Sequence, residues 1–340
     1  MAVIEIPRLT VHTTRYTARA QSGLSMCFVI AIALLAWVQL ASAQTMAEFR
    51  RTLTVTAAKT VTLDVDVAVG ELQVSYGRDG EVSIAASARG SEPAGIGDGF
   101  VSAVLRIEQI GNHIMIHTFD PVPPEERTSV LYQINVPYRT ELTSKVNSGK
   151  QVITGILGPV NAVTNKGDIK AAYISNALEG HVGTGNLDLQ VIGGPVEAIA
   201  DSGNISCTRL PQGVSAEAGE GDITLMVVGP STAVVKKGTG RINVGGARGR
   251  FIGSTDQGDL YLKAIPHEDW QLSSVSGNVR LELPPSAKFE LEASTKTGEL
   301  QFERDDITKP LANLLQFRQA INGGGKRIAV HTESGRIVIR

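Results

Sequence analysis

The chain has 340 residues, with 32 Lys and Arg against 34 Asp and Glu, a formal net charge of −2. That length holds one long domain or two ordinary ones, and the lack of any basic tract disfavours nucleic-acid binding. Gly accounts for 36 residues and aromatics for 5%, a composition that is poor in helix signals and suits a narrow core of small and branched side chains.

Residues 1–43 read as an export signal. Arg8, Arg15 and Arg19 make a basic leader, Leu24 to Leu40 an apolar run, and Ala41-Ser42-Ala43 before Gln44 a small-residue cleavage triplet. The run approaches spanning length, so a retained anchor helix competes with this reading. The triplet directly after the run favours cleavage, and no second run of spanning length follows. The stretch ahead of the run is long for a leader, which points to a start downstream of Met1. Cleavage leaves 29 Lys and Arg against 33 Asp and Glu, a net charge of −4, with Cys207 as the sole cysteine and no internal disulfide.

Residues 44–55 are expected to be a mobile N-terminus. Residues 56–140 alternate like strands at Val61–Val67 and Glu81–Ile84, and Gly70–Val74 resembles a degenerate repeat unit. Loops are expected at 90–99 and at 121–124, with strands over 100–118 and 128–136. A stacked β-structure needs its open end covered, so 56–140 reads as irregular first rungs forming an N-terminal cap. A small separate β-domain is the alternative.

Ten glycines then recur: Gly149, Gly167, Gly185, Gly203, Gly221, Gly240, Gly258, Gly277, Gly298 and Gly335. The gaps are 18, 18, 18, 18, 19, 18, 19, 21 and 37 residues. A fixed period signals a stacked repeat. The triplets ending at these glycines, such as Asn147-Ser148-Gly149 and Asp201-Ser202-Gly203, are turn sequences that tolerate positive φ. Branched apolar residues follow two and four positions on, as in Leu187 and Leu189 or Ile223 and Leu225, with polar residues between. That is a half-buried strand. A second turn at Gly158-Pro159, Gly194-Pro195, Pro211, Gly229-Pro230 or Pro266 ends it. A second alternating run then leads to the next glycine.

The predicted fold is all-β, a single-stranded β-solenoid of roughly 18-residue, two-strand rungs. Regular rungs span 141–304. Residues 305–325 interrupt the period as an insertion loop or a short helix carrying Leu311, Leu314, Leu315 and Phe317, and 326–340 form a final rung.

Catalytic chemistry is sparse. The position after each glycine reads Lys150, Asp168, Asn186, Asn204, Asp222, Arg241, Asp259, Asn278, Glu299 and Arg336, an outward ladder of mixed charge. Asp168 and Asp222 would sit three rungs apart, roughly 14 Å, too far for a carboxylate pair. The calcium-binding nonapeptide of β-rolls is absent, and the apolar spacing does not follow the six-residue period of hexapeptide acyltransferases. His113 and His117 on one strand would stand about 13 Å apart, too far to share a metal. Cys207 falls at an inward position, which marks a buried thiol. Trp270, in the loop Pro266–Gln271, is the weak candidate for ligand contact, although packing over the end or side of the rod is the favoured reading. No cofactor, metal or catalytic residue is expected.

The recurring Ser-Gly-x-Ile-x-Leu unit, the Ile134–Pro137 strand, and Leu281–Ala287 followed by Ser294–Gly298 resemble the bacterial adhesin-like family of unknown function DUF4097. So does the ending, Gly323–Val330 then Thr332–Ile339. The resemblance covers roughly residues 60–340. It implies an exported, envelope-associated β-solenoid and supplies no catalytic residues. The functional expectation is a non-enzymatic structural or adhesin-like binding surface in the periplasm, on the cell surface or secreted. Its partner would be a protein or glycan surface, and it would have no membrane span once the signal is cleaved. The alternatives are a carbohydrate-active β-helix enzyme and an envelope regulatory protein with a protein partner.

Overall fold

A computed structural model of the chain describes residues 48–89, 105–119, 129–308 and 314–340. The export signal expected at 1–43 and the loops expected at 90–99 and 121–124 lie outside the described residues. Contacts run continuously through residues 46–340 as one unit.

The described residues form strands and no helix. The first seven strands are β1 (Glu48–Thr54), β2 (Val61–Val69), β3 (Glu71–Tyr76), β4 (Glu81–Arg89), β5 (Leu105–Ile110), β6 (His113–Thr118) and β7 (Ser129–Val136). The periodic part continues with β8 (Thr140–Ser148), β9 (Gln151–Thr154), β10 (Val160–Lys166), β11 (Ile169–Ile174), β12 (Leu178–Thr184), β13 (Leu187–Ile192), β14 (Val196–Ser202) and β15 (Ile205–Leu210). Then come β16 (Val214–Glu220), β17 (Ile223–Val228), β18 (Ser231–Val235), β19 (Ile242–Gly245), β20 (Phe251–Thr255), β21 (Leu260–Lys263), β22 (Trp270–Ser274) and β23 (Val279–Glu282). The last five are β24 (Phe289–Thr295), β25 (Glu299–Phe302), β26 (Gln316–Ile321), β27 (Lys326–Thr332) and β28 (Arg336–Ile339).

These strands build two 14-stranded sheets. The front sheet takes the strand after each glycine and runs β1-β4-β7-β3-β9-β11-β13-β15-β17-β19-β21-β23-β28-β25. The back sheet takes the strand before it and runs β26-β24-β27-β22-β20-β18-β16-β14-β12-β10-β8-β2-β6-β5. Equivalent strands of successive rungs pair in parallel with period-true register, for example Leu187↔Ile205 and Leu189↔Cys207. The protein is therefore an all-β solenoid of two-strand rungs, twelve of them among the described residues once the four antiparallel strands β1, β4, β5 and β26 are set aside.

Packing between the sheets explains the apolar choices. Front-sheet positions hold branched side chains, such as Ile205, Leu225 and Leu262, all buried. The facing back-sheet row holds Ala162, Gly180, Ala198, Ala216, Ala233 and Gly253. A Cβ built on Gly180 would stand 3.1 Å from the Leu187 methyl, so the small residue makes room for the large one. Toward the C-terminal end the core takes Phe251, Trp270 and Phe289, each under 2% exposed. One rung carries a polar pin. Gln151 replaces the usual branched residue, is fully buried, accepts from the Ser144 hydroxyl at 2.6 Å and donates to Val163 O and Thr164 Oγ1. Every polar end of its amide is thereby satisfied or shared.

The structure corrects three expectations. Residues 44–55 hold strand β1, paired antiparallel with β4 from Glu48↔Ser87 to Thr54↔Glu81, with Leu53 and Val55 buried; a covering strand is what stops an open sheet edge from recruiting another chain. The insertion at 305–325 is neither plain loop nor helix where it is described. It contains β26, which caps the back sheet by antiparallel pairing with β24. The rung at 326–340 is last in sequence but not in space. β27 pairs with β22 on one side and β24 on the other, and β28 lies between β23 and β25. The C-terminal rung is thus slotted inside the stack. The opposite end is also out of chain order: the β2/β3 rung lies between the β6/β7 rung and the β8/β9 rung.

Candidate functional site

The glycines form one column. A Cβ added to any of the ten predicted glycines would stand 1.7–2.1 Å from the carbonyl oxygen of the glycine in the neighbouring rung. Gly70 is an eleventh member, because the Cβ of Gly149 would strike its oxygen. From Gly70 to Gly221 φ is also positive, +128 to +144°. In the later rungs a buried hydroxyl three residues earlier closes the turn: Thr255 accepts from Gly258 N, Ser274 from Gly277 N, Thr332 from Gly335 N and Thr295 from Gly298 N. These hydroxyls went unread in the sequence, although Ser or Thr three positions before the glycine marks each of them.

The position after the glycine forms a side-chain ladder. Asp168 Oδ1 accepts from Asn186 N and Nδ2, Asn186 Oδ1 from Asn204 N and Nδ2, Asn204 Oδ1 from Asp222 N, and Asp222 from the backbone and guanidinium of Arg241. Arg241 has no acceptor to offer and ends the run. A second ladder runs from Asp259 through Asn278 to Arg336 N. Burial pushes the Asp222 carboxyl up, but the Arg241 backbone N–H and guanidinium outweigh it and hold it below the usual range.

Where the second ladder lies, the front sheet's outer face is concave. An open groove of about 900 Å³ crosses the rungs of β21, β23, β28 and β25. Its floor is a straight row, one residue per rung, set by the register Tyr261↔Arg280↔Val338. Val338 points outward yet is only 9% exposed. Along one wall run Asp259, Asn278, Arg336 and Glu299, where Arg336 meets Glu299 at 3.0 Å. Beyond the floor, Lys263 meets Glu282 at 3.2 Å, and Glu282 also takes the Tyr261 hydroxyl. The Tyr261 hydrogen bond, followed by Lys263, holds the Glu282 carboxyl low, while burial and then Glu282 push the Tyr261 phenol up. The sequence exposed the wall residues as a ladder but not the groove, whose floor depends on β28 lying beside β23.

Trp270, the residue singled out for ligand contact, does not serve. Its ring is inside the core at 1% exposed and its indole N–H donates to Gly249 O at 3.1 Å. A fully desolvated indole with its donor satisfied has no face left for a ligand. Cys207 is fully buried, and desolvation, then Asp188, push its thiol up to about 12. Ser294 Oγ and His331 Nδ1 lie 2.9 Å apart on the back sheet's outer face. No carboxylate hydrogen-bonds that imidazole among the described residues, so the third member of a hydrolytic triad is missing there. No group of three or more His, Cys, Asp or Glu side chains that could hold a metal occurs among the described residues. No helix among them is long and apolar enough to cross a membrane.

Fold and surface together define a two-sheet β-solenoid with a polar, grooved exterior. The Toastrack DUF4097 family model matches residues 134–340, and the chain belongs to that family. No curated protein sequence matches it. Solved structures similar to it include a "putative lipid binding protein" from Parabacteroides distasonis ATCC 8503 (12% identity, 86% of this chain and 96% of that one, TM-score 0.38). Another is a "putative adhesin" from the same organism (9%, 86% and 97%, TM-score 0.34). A third is a "putative adhesin" from Bacteroides fragilis NCTC 9343 (12%, 86% and 97%, TM-score 0.33).

Proposed function

We propose that the protein is an exported, non-enzymatic binding module of the bacterial cell envelope, one that offers the outer faces of its solenoid to a glycan or protein surface. The observation that carries this reading is the use to which the repeat puts its polar residues. The ladder side chains are spent on one another and on rung-to-rung backbone hydrogen bonds. What the described residues leave outward is an extended polar surface with open, shallow grooves, the one over β21, β23, β28 and β25 among them. The basic leader, apolar run and Ala41-Ser42-Ala43 triplet support export. The test is to recover the protein from fractionated cells, sequence its N-terminus, and screen it on a glycan array with product analysis. The expected result is envelope or medium localisation, a new N-terminus at Gln44, and saturable binding without release of shorter saccharides. Retention in the cytoplasm or turnover of a bound glycan would overturn it.

A further inference from the structure

We infer that the groove on the front sheet binds an oligosaccharide carrying an isolated carboxylate, a hexuronate among neutral sugars, with Arg280 as the carboxylate-binding residue. The inference rests on the binding-module reading above and names the ligand class.

Three observations point the same way. The first is a cation at the centre with no direct partner, which feels Glu282 only through its charge. Among the described residues the Arg280 side chain makes no hydrogen bond or ion pair, whereas Arg336 on the groove wall is tied to Glu299, Lys263 beside it to Glu282, and Arg241 at its end to Asp222. A guanidinium with all five donors free in a concavity is pre-formed for a carboxylate, which it engages through two parallel hydrogen bonds.

The second is the flanking floor. Tyr261 and Val338 stand one rung to either side of Arg280, about 4.8 Å away along the sheet. The half-buried Tyr261 ring supplies a surface on which the apolar face of a sugar lies, and the nearly buried Val338 closes the floor on the other side. Beside them, Asp259 uses only Oδ1 within the protein, accepting from Asn278 N and Nδ2. Its Oδ2 is left as an acceptor for a hydroxyl.

The third is charge spacing. The carboxylates of Asp259 and Glu299 lie on the groove wall to either side of Arg280. Glu299 is paired with Arg336, but a densely charged ligand, such as a nucleic acid, a heavily sulfated glycan or a polyglutamate, would still meet the Asp259 carboxylate one rung from Arg280. A chain of hydroxyls bearing one carboxylate meets a cation where it is anionic and acceptors where it is not. The groove is open and runs across several rungs, which fits an extended chain better than a compact metabolite.

The experiment is titration calorimetry of the exported protein with four probes: a mixed oligomer of galacturonate and neutral sugars, the same oligomer with its carboxyls reduced, a fully sulfated oligosaccharide, and polyglutamate. Binding of the first is expected, with affinity falling about tenfold or more in Arg280→Ala and partly restored in Arg280→Lys. Added salt should weaken it. Arg248→Ala, remote from the groove, should bind normally, and unchanged thermal unfolding of Arg280→Ala would show that the fold is intact. Equal binding of the carboxyl-reduced oligomer, or an Arg280→Ala variant that binds like the parent, would overturn the site while leaving the binding-module reading standing. Arg280-dependent binding of polyglutamate or the sulfated glycan would replace the ligand class. Binding of none of the four would overturn the inference, whereas cleavage of the oligomer would instead overturn the binding-module reading.

Discussion

At the scale of single residues, two different physical reasons for glycine separate cleanly. Gly203 has φ of +144° and a virtual Cβ 1.7 Å from Gly185 O, so alanine there needs the backbone of two rungs to part. Gly238 also has positive φ, +73°, but nothing within 4 Å of its virtual Cβ. Alanine at Gly238 should cost only the left-handed penalty, about 1–2 kcal/mol. Alanine at Gly203 should cost more than that by on the order of 2 kcal/mol, because a clash with a backbone oxygen is added to the strain. Urea unfolding of the two variants checks this, and equal midpoints would show that φ alone selects glycine in the column. The turn sequences made the glycine periodicity legible, but turn chemistry predicts equal costs at the two sites. The close approach is a property of stacking, and only neighbouring rungs in place reveal it. For the same reason the sequence leaves the ligand-contact reading of Trp270 open beside the packed one. A loop sequence rich in His267, Glu268 and Asp269 looks exposed, yet Trp270 opens β22 on the inward side and fills the core.

At the scale of elements, the C-terminal cap is held by a buried polar lock that leaves no periodic trace in the sequence. The Arg304 side chain is 6% exposed, sits 5.7 Å over the Phe289 ring, and donates to the carbonyls of Leu283, Pro284 and Pro285. Asp306 takes two further Arg304 donors at 2.8 and 2.6 Å and a third hydrogen bond from Asn322. One lock thus ties the turn after β23, the segment after β25 and the turn after β26. Arg304's hydrogen bonds hold the Asp306 carboxyl below its usual value of 3.8. A depressed carboxyl stabilises the fold at pH values above its unfolded pKa, and that contribution is lost as pH falls through the lower folded value. Asp306→Ala should therefore cost on the order of 2 kcal/mol at pH 7, since it strands a buried guanidinium. The gap to the parent should narrow progressively below about pH 4 as the parent protonates. Denaturant midpoints at pH 7 and pH 3 measure both; a gap that stays constant with pH would mean that the ion pair is not what holds the cap.

At the scale of the whole molecule, the consequential feature is the interleaved C-terminal rung. The spacing of 37 residues between Gly298 and Gly335 is legible as a period interrupted by an insertion, but periodicity is blind to which neighbours a rung chooses. Rungs of equal period and similar apolar pattern can pair in either order, and here the choice is settled by β26, which folds back on β24 and leaves that rung as the terminus. The groove follows from that choice, since Val338 and Arg336 stand beside Arg280 and Asn278 only because β28 is inserted there. A terminal segment that closes a stack from outside frays first, whereas one paired on both sides exchanges only when the stack opens around it. Native-state hydrogen exchange should therefore find the amides of Val330 and Ile337, paired on both sides, as protected as those of Ile223 in the middle of the stack. The amides of β26, bonded on one side only, should exchange faster. Fast exchange at Val330 with slow exchange in β26 would reverse the order of the last rungs, and with it the neighbours of Arg280.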